Sequence, residues 1–172
     1  MSDNMSEGRV FDKIAQVSVI VDDVRAYIKR YNDDYGIGPW IVLHFTPENT
    51  RNQTVNGKEE GFEVYLALCD SLNVQLELIE PVSENTTYYE FLKKNGPGIH
   101  HMCLTSEGGY ASIIEKLKEL GHTETLLSGL DAGGMGFCYI DLVDDLGIVA
   151  ELMDPPEDFV GPPPAFTYPA SL

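Results

Sequence analysis

The chain has 172 residues, of which 43 % are hydrophobic and 23 % charged, the composition of an ordinary globular protein with one well-cored domain or two small modules sharing a core. Its 28 acidic residues against 11 Lys and Arg give a net charge of −17, which repels polyanions and excludes nucleic acid as a partner. No apolar run approaches the roughly 18 residues needed to span a bilayer, so no membrane partner is expected.

Residues 1–11 read as a polar arm without the basic-then-apolar pattern of a signal peptide. Three cysteines (Cys69, Cys103 and Cys138) sit in apolar runs without a CxxC pair, as reduced core residues of a cytoplasmic protein do. A first strand is expected over 13–21, where Val17, Val19 and Val21 alternate with Gln16, Ser18 and Ile20. Asp22 and Asp23 offer N-caps for a helix reaching about Tyr35, with Val24, Tyr27, Ile28 and Tyr31 on one stripe. Gly36-Ile-Gly-Pro39 stops it. A second strand follows at 40–45, then a polar loop over 46–60, then strands at 62–69 and 74–80. A short helix near 88–94 lies in a linker, 83–97. The same order then repeats: a strand at 99–105, a helix at 110–120, and strands at 123–127, 136–142 and 147–153. Residues 155–172 carry six prolines and no periodicity, the signature of an extended or disordered arm.

The repeat can be followed residue by residue. Val74-Gln-Leu-Glu-Leu-Ile-Glu-Pro81 lines up with Ile148-Val-Ala-Glu-Leu-Met-Asp-Pro155, and Gln16-Val-Ser-Val with His101-Met-Cys-Leu. The expected fold is therefore α+β, with two tandem βαβββ modules at 12–82 and 98–154 that share a half-barrel site on a pseudo-twofold axis.

Four polar side chains occupy matching inward positions: Gln16 and His101 on the first strands, Glu77 and Glu151 on the last. Two carboxylates converging inside a sheet repel unless a cation lies between them. One imidazole, one amide oxygen and two carboxylates suit a divalent ion (Mn²⁺, Mg²⁺, Co²⁺, Ni²⁺ or Zn²⁺) with positions left open. Of the adjacent histidines, alternation sends His101 inward and His100 to the outer face. His44 and His122 read as structural.

Ala15-Gln-Val-Ser-Val-Ile-Val-Asp-Asp23, Leu76-Glu-Leu-Ile-Glu-Pro81, Tyr89-Glu-Phe-Leu-Lys-Lys-Asn-Gly-Pro-Gly-Ile-His-His-Met102 and Gly147-Ile-Val-Ala-Glu-Leu152 together resemble the vicinal oxygen chelate superfamily, in its methylmalonyl-CoA epimerase-like branch. The likeness covers about residues 12–154. It implies a homodimer and places the family's metal positions on Gln16, Glu77, His101 and Glu151. Gln16 stands where the epimerases have His, which makes the set more like that of some glyoxalase I enzymes. The implied reaction is proton transfer at a carbon next to a carbonyl, through an enolate stabilised by the metal, with Glu151 as one base. The partner base is expected on the strand at 61–68, at Glu63 or Tyr65. The last basic residue is Lys118, and the strands expected to line the second half contain no Lys or Arg to receive CoA phosphates or glutathione carboxylates. The expected substrate is a neutral or aromatic ketone, such as a dihydroisoflavonoid, with Trp40, Phe62, Tyr65, Phe137 and Tyr139 as pocket walls. The alternatives are a glyoxalase I-type lyase and a non-catalytic binding protein of the bleomycin-resistance kind.

Overall fold

The computed structural model describes residues 9–170. The first module runs β1 (Lys13–Ile20), α1 (Val24–Tyr35), β2 (Trp40–Phe45), the hairpin β3 (Arg51–Val55) and β4 (Lys58–Glu59), β5 (Val64–Cys69) and β6 (Gln75–Pro81). After α2 (Thr87–Asn95) come β7 (Gly98–Thr105), α3 (Gly109–Glu119), β8 (Leu127–Leu130), β9 (Gly136–Leu142), the single turn α4 (Val143–Leu146) and β10 (Ile148–Asp154). A short strand, β11 (Phe166–Tyr168), ends the described chain. Most of the expected N-terminal arm, residues 1–8, lies outside the described residues.

All eleven strands form one sheet in the order β11-β2-β5-β6-β1-β7-β10-β9-β8-β3-β4. The antiparallel β1–β7 pair is its centre. Outward from it, β6, β5 and β2 on one side match β10, β9 and β8 on the other, and both inner pairs, β1–β6 and β7–β10, are parallel. This is the expected pair of βαβββ units.

The helices form for local reasons, and α1 and α3 then cover one face. Asp23 caps α1, its side chain accepting from the Ala26 N–H at 3.0 Å, and Gly36 ends the helix in the left-handed region at φ 67°. Val24 and Ile28 of α1 pack on Trp40, Val42, Ala67 and Leu78. Ile113 and Leu117 of α3 pack likewise on Leu104, Ile140 and Leu152. The opposite face carries a third cluster, in which Tyr88 of α2 meets Ile20, Phe62, Ile79, Leu127 and Tyr139. The candidate site lies on this second face. No helix among the described residues is long and apolar enough to cross a membrane.

Two expectations change, and a third is resolved between its alternatives. The polar stretch 46–60 is not a plain loop but the β3–β4 hairpin, and it pairs with β8 of the other module (Thr54↔Ser128, Val55↔Leu127). Asn56 and Gly57, at φ 50° and 73°, make its turn. The strand expected at 123–127 lies at 127–130, because residues 123–126 are spent reaching the sheet. The proline-rich tail is an extended arm that adds β11 to the β2 edge, with Phe166↔Val42, Thr167↔Ile41 and Tyr168↔Trp40.

Candidate metal centre

The four central strands deliver the site by register. Parallel pairing of β1 with β6 puts Ser18 opposite Glu77, and antiparallel pairing with β7 puts Ser18 opposite His101. Parallel pairing of β7 with β10 sets Glu151 beside Cys103, two residues along from His101. Glu77, His101 and Glu151 each offer a ligand atom, and these atoms lie within 4.8 Å of one another. His101 Nε2 is 3.3 Å from Glu77 Oε2 and 3.4 Å from Glu151 Oε2, and all three residues are at most 5 % exposed.

Neighbouring groups hold these side chains in place. The Ser18 hydroxyl donates to Glu77 Oε2, and the Tyr139 hydroxyl donates to Glu151 Oε1 at 2.7 Å. The Gln16 amide nitrogen donates to Gln75 Oε1, which leaves the Gln16 amide oxygen free. Among the described residues, four buried side-chain polar atoms lack a hydrogen-bond partner. Three of them are Gln16 Oε1, His101 Nε2 and Glu151 Oε2, the atoms expected to ligate; the fourth is Thr87 Oγ1. Orphaned polar atoms this deeply buried are costly, and their concentration here calls for a common partner. The spacing fits one, since two ligands about 2.1 Å from a shared ion at right or tetrahedral angles sit roughly 3.0–3.4 Å apart. The residues present can hold a divalent cation.

The electrostatics agree. Burial acts to push the His101 imidazole down, but the Glu151 and Glu77 carboxylates beside it prevail and hold its pKa at about 9. A positive charge is thus favoured at this point. Burial raises Glu151, with the nearby imidazole opposing. Burial and the Glu151 charge also keep the Tyr139 and Tyr88 hydroxyls protonated, so Tyr139 stays a donor.

His100 departs from simple alternation. Ser18 pairs with His101 while Val19 pairs with Ile99, so His100 is the extra residue of a β-bulge. The bulge turns its ring toward α2, edge-on to Phe91 and Tyr88, with Nδ1 2.9 Å from His101 Nδ1. Burial, together with the His101 charge, lowers His100 to about 3, so it stays neutral. His100 therefore steadies the His101 ring. A second register shift, between Ile14 and Gln16, precedes Gln16 itself.

A cavity of about 380 Å³ opens from Gln16, Glu77 and Glu151. Ile41, Leu43, Phe45, Val64, Leu66 and Leu68 form one wall, with Phe62, Phe137 and Tyr139 also lining it as expected. Trp40 and Tyr65 do not: both belong to the packing under α1, on the other face of the sheet. Glu63 and Tyr65 are likewise away from the cavity, because on β5 it is Val64, Leu66 and Leu68 that alternate inward. Glu63 instead meets His44 Nε2 at 2.7 Å, and the His44 ring stacks on Tyr65 at 4.2 Å. His122 pairs with Asp145 at the surface. The residues that sequence reading missed are Ser18, Tyr88 and Asp131. Ser18 was legible, since it shares the Gln16 face; Asp131, in the Asp131-Ala-Gly-Gly-Met135 turn, has no periodic signal.

The sequence profile of the Glyoxalase/Bleomycin resistance protein/Dioxygenase superfamily matches residues 15–139, and the chain belongs to that superfamily. It is 27 % identical over 109 residues to the uncharacterized protein YqjC of Bacillus subtilis (strain 168), covering 58 % of this chain and 71 % of that one. Among solved structures it resembles a methylmalonyl-CoA epimerase of Streptomyces coelicolor in complex with 2-nitronate-propionyl-CoA (TM-score 0.60, 19 % identity, 83 % of this chain and 96 % of that chain). The methylmalonyl-CoA epimerase of Mycobacterium tuberculosis is similar at TM-score 0.61 and 20 % identity, over 89 % and 94 % of the two chains. A hypothetical protein of Bacillus halodurans C-125 reaches 0.63 at 18 % identity, over 87 % and 98 %. At these identities the likeness carries the fold.

Proposed function

We propose that the protein is a metal-dependent isomerase of the epimerase or racemase kind, moving a proton at a carbon α to a carbonyl. The observation that supports this best is the set of unpartnered ligand atoms on Gln16, His101 and Glu151 at an apolar cavity. Glu77, His101 and Glu151, with the Gln16 amide oxygen, would hold a divalent ion whose Lewis acidity serves a substrate carbonyl. Glu151 takes the proton. Tyr139 fixes one of its oxygens, and burial raises its pKa above the ordinary carboxylate value. The second proton carrier is Asp131, the remaining acid on the cavity wall, rather than Glu63 or Tyr65. Its Oδ1 accepts from the Met135 N–H at 2.8 Å, which anchors the carboxylate in the turn.

The substrate in this reading is a neutral or aromatic ketone such as a dihydroisoflavonoid, because the cavity is lined by aliphatic and aromatic side chains and by no Lys or Arg. Deuterium wash-in at the α-carbon in D₂O, followed by NMR, tests it. Chelator-sensitive exchange with loss of optical activity is expected. No exchange across aryl ketones, hemithioacetals and CoA thioesters would sink the isomerase reading. The inner face of β5 carries no titratable group, and this favours a ligand-binding protein as the second reading.

A further inference from the structure

We infer that the C-terminal arm is a specificity-determining strap: it roofs the cavity and restricts it to compact, uncharged carbonyl compounds, excluding those carried on long polyanionic thioesters. The inference rests on the isomerase reading for the word substrate, but its geometry stands apart from the metal.

The path of the arm is fixed at three places. It leaves β10 at Asp154, and Phe159, Gly161 and Pro162 then line the cavity. At the same point the arm lies tight on the Asp131–Met135 turn. A Cβ added to Gly133 would stand 2.6 Å from the Val160 carbonyl oxygen and 2.8 Å from the Phe159 ring, so only glycine admits this contact. Beyond the cavity the Ala165 N–H donates to Val42 O at 2.8 Å and β11 joins the sheet edge. There the Arg25 guanidinium lies 3.7 Å over the Phe166 ring, and the Tyr168 hydroxyl donates to Asp33 at 3.0 Å. The arm therefore starts at the last strand of one module and ends on the outer strand of the other, passing the site they share.

Its composition suits this task. Pro155, Pro156, Pro162, Pro163 and Pro164 stiffen the segment, so docking orders few free torsions, and the ten residues 155–164 reach about 30 Å when extended. Two consequences follow for ligands. A volume of about 380 Å³ is near the small end of the roughly 300–1,000 Å³ of ligand pockets, so a roofed cavity holds a small molecule whole. The arm also brings exposed Glu157 and Asp158, and the charged residues of the cavity wall are Glu77, Asp131 and Glu151. A phosphate-bearing carrier meets acid and no cation.

The test uses the full chain loaded with Mn²⁺, with 4-phenyl-2-butanone as a neutral aryl ketone and propionyl-CoA as a polyanionic thioester. Binding of each is measured by calorimetry for the wild type, for Gly133→Ala, and for Arg25→Ala combined with Tyr168→Phe. The double variant lies outside the cavity and guards against a folding defect in Gly133→Ala. The wild type should favour the ketone by at least about tenfold, and both variants should lose about tenfold of that preference. Both should expose residues 155–168 to protease while Mn²⁺ binding is kept. A wild type without the preference, variants that keep it after the arm is released, or arms that stay protected in both variants each overturn the strap. Loss of α-carbon exchange with the preference intact overturns the isomerase reading alone.

Discussion

The two halves of the sheet repeat one strand order and share the ligand set, Gln16 and Glu77 from one and His101 and Glu151 from the other, but differ in what their outer strands bring to the cavity. β2 and β5 of the first module contribute Ile41, Leu43, Phe45, Val64, Leu66 and Leu68, an unbroken aliphatic and aromatic wall. The second module contributes Tyr139 and Glu151, with Asp131 beyond β8 and the buried His101 beneath. A repeat constrains which strands pair and which positions face inward, since backbone pairing depends little on side-chain identity. Each face can then diverge, so that beyond the ligand residues both halves supply, one half adds the groups that handle protons and the other the apolar wall that shapes the substrate.

This contrast can be broken at its polar side first. Glu151→Gln should lower α-carbon exchange by about 10²–10⁴-fold and weaken Mn²⁺ uptake, read by NMR and calorimetry. Tyr139→Phe removes the donor to Glu151 Oε1 and should cost roughly 10–100-fold in metal affinity, with the fold intact by circular dichroism. On the apolar side, Leu43→Ala should cost about 2 kcal/mol in urea unfolding, because the adjoining cavity already leaves that wall loosely packed, with metal affinity unchanged.

The pH response separates the halves further. The His101 pKa is raised from 6.5 to about 9, so the charged imidazole stabilises metal-free protein fully below pH 6.5. That contribution should fade as pH rises from 6.5 through 9, while Mn²⁺ affinity rises over the same range because the ion displaces the proton. A metal affinity that falls with rising pH there would refute the assignment of His101. The smallest effect is expected at Glu63→Gln, on the outer face: exchange unchanged, and stability within about 0.2–1 kcal/mol, as for an exposed pair.

Most of this was legible in the chain. Alternation gave β1, β2, β5, β6, β7, β9 and β10 to within two residues, since each has one apolar face that must be buried. The α1 cap was written in Asp23 and its stop in Gly36. The aligned Leu-Glu-Leu and Ala-Glu-Leu strands pointed to Glu77 and Glu151, which the structure brings together with His101. What failed were features set by distant partners. β3 is polar because its inward positions, Gln53 and Val55, are few, and its pairing partner β8 is more than 70 residues away. Its one local signal is Asn56-Gly57 between strand-forming residues, too short to outweigh the polar composition around it. Strict alternation misjudged His100, because a bulge is invisible in side-chain pattern. The placement of Glu63 and Tyr65 turned on a one-residue choice of phase in β5, and a single step moves every side chain to the other face.

The β3–β4 hairpin acts on the molecule as a cross-stitch. It leaves the first module after β2, is sewn to β8 of the second, and returns to the first at β5, with the Gln53 amide holding both the N–H and the carbonyl of Phe62 at 3.0 Å. Neither half can be peeled off or traded with a second copy without first unpicking that seam. Heat should therefore melt the two modules in one transition rather than in succession.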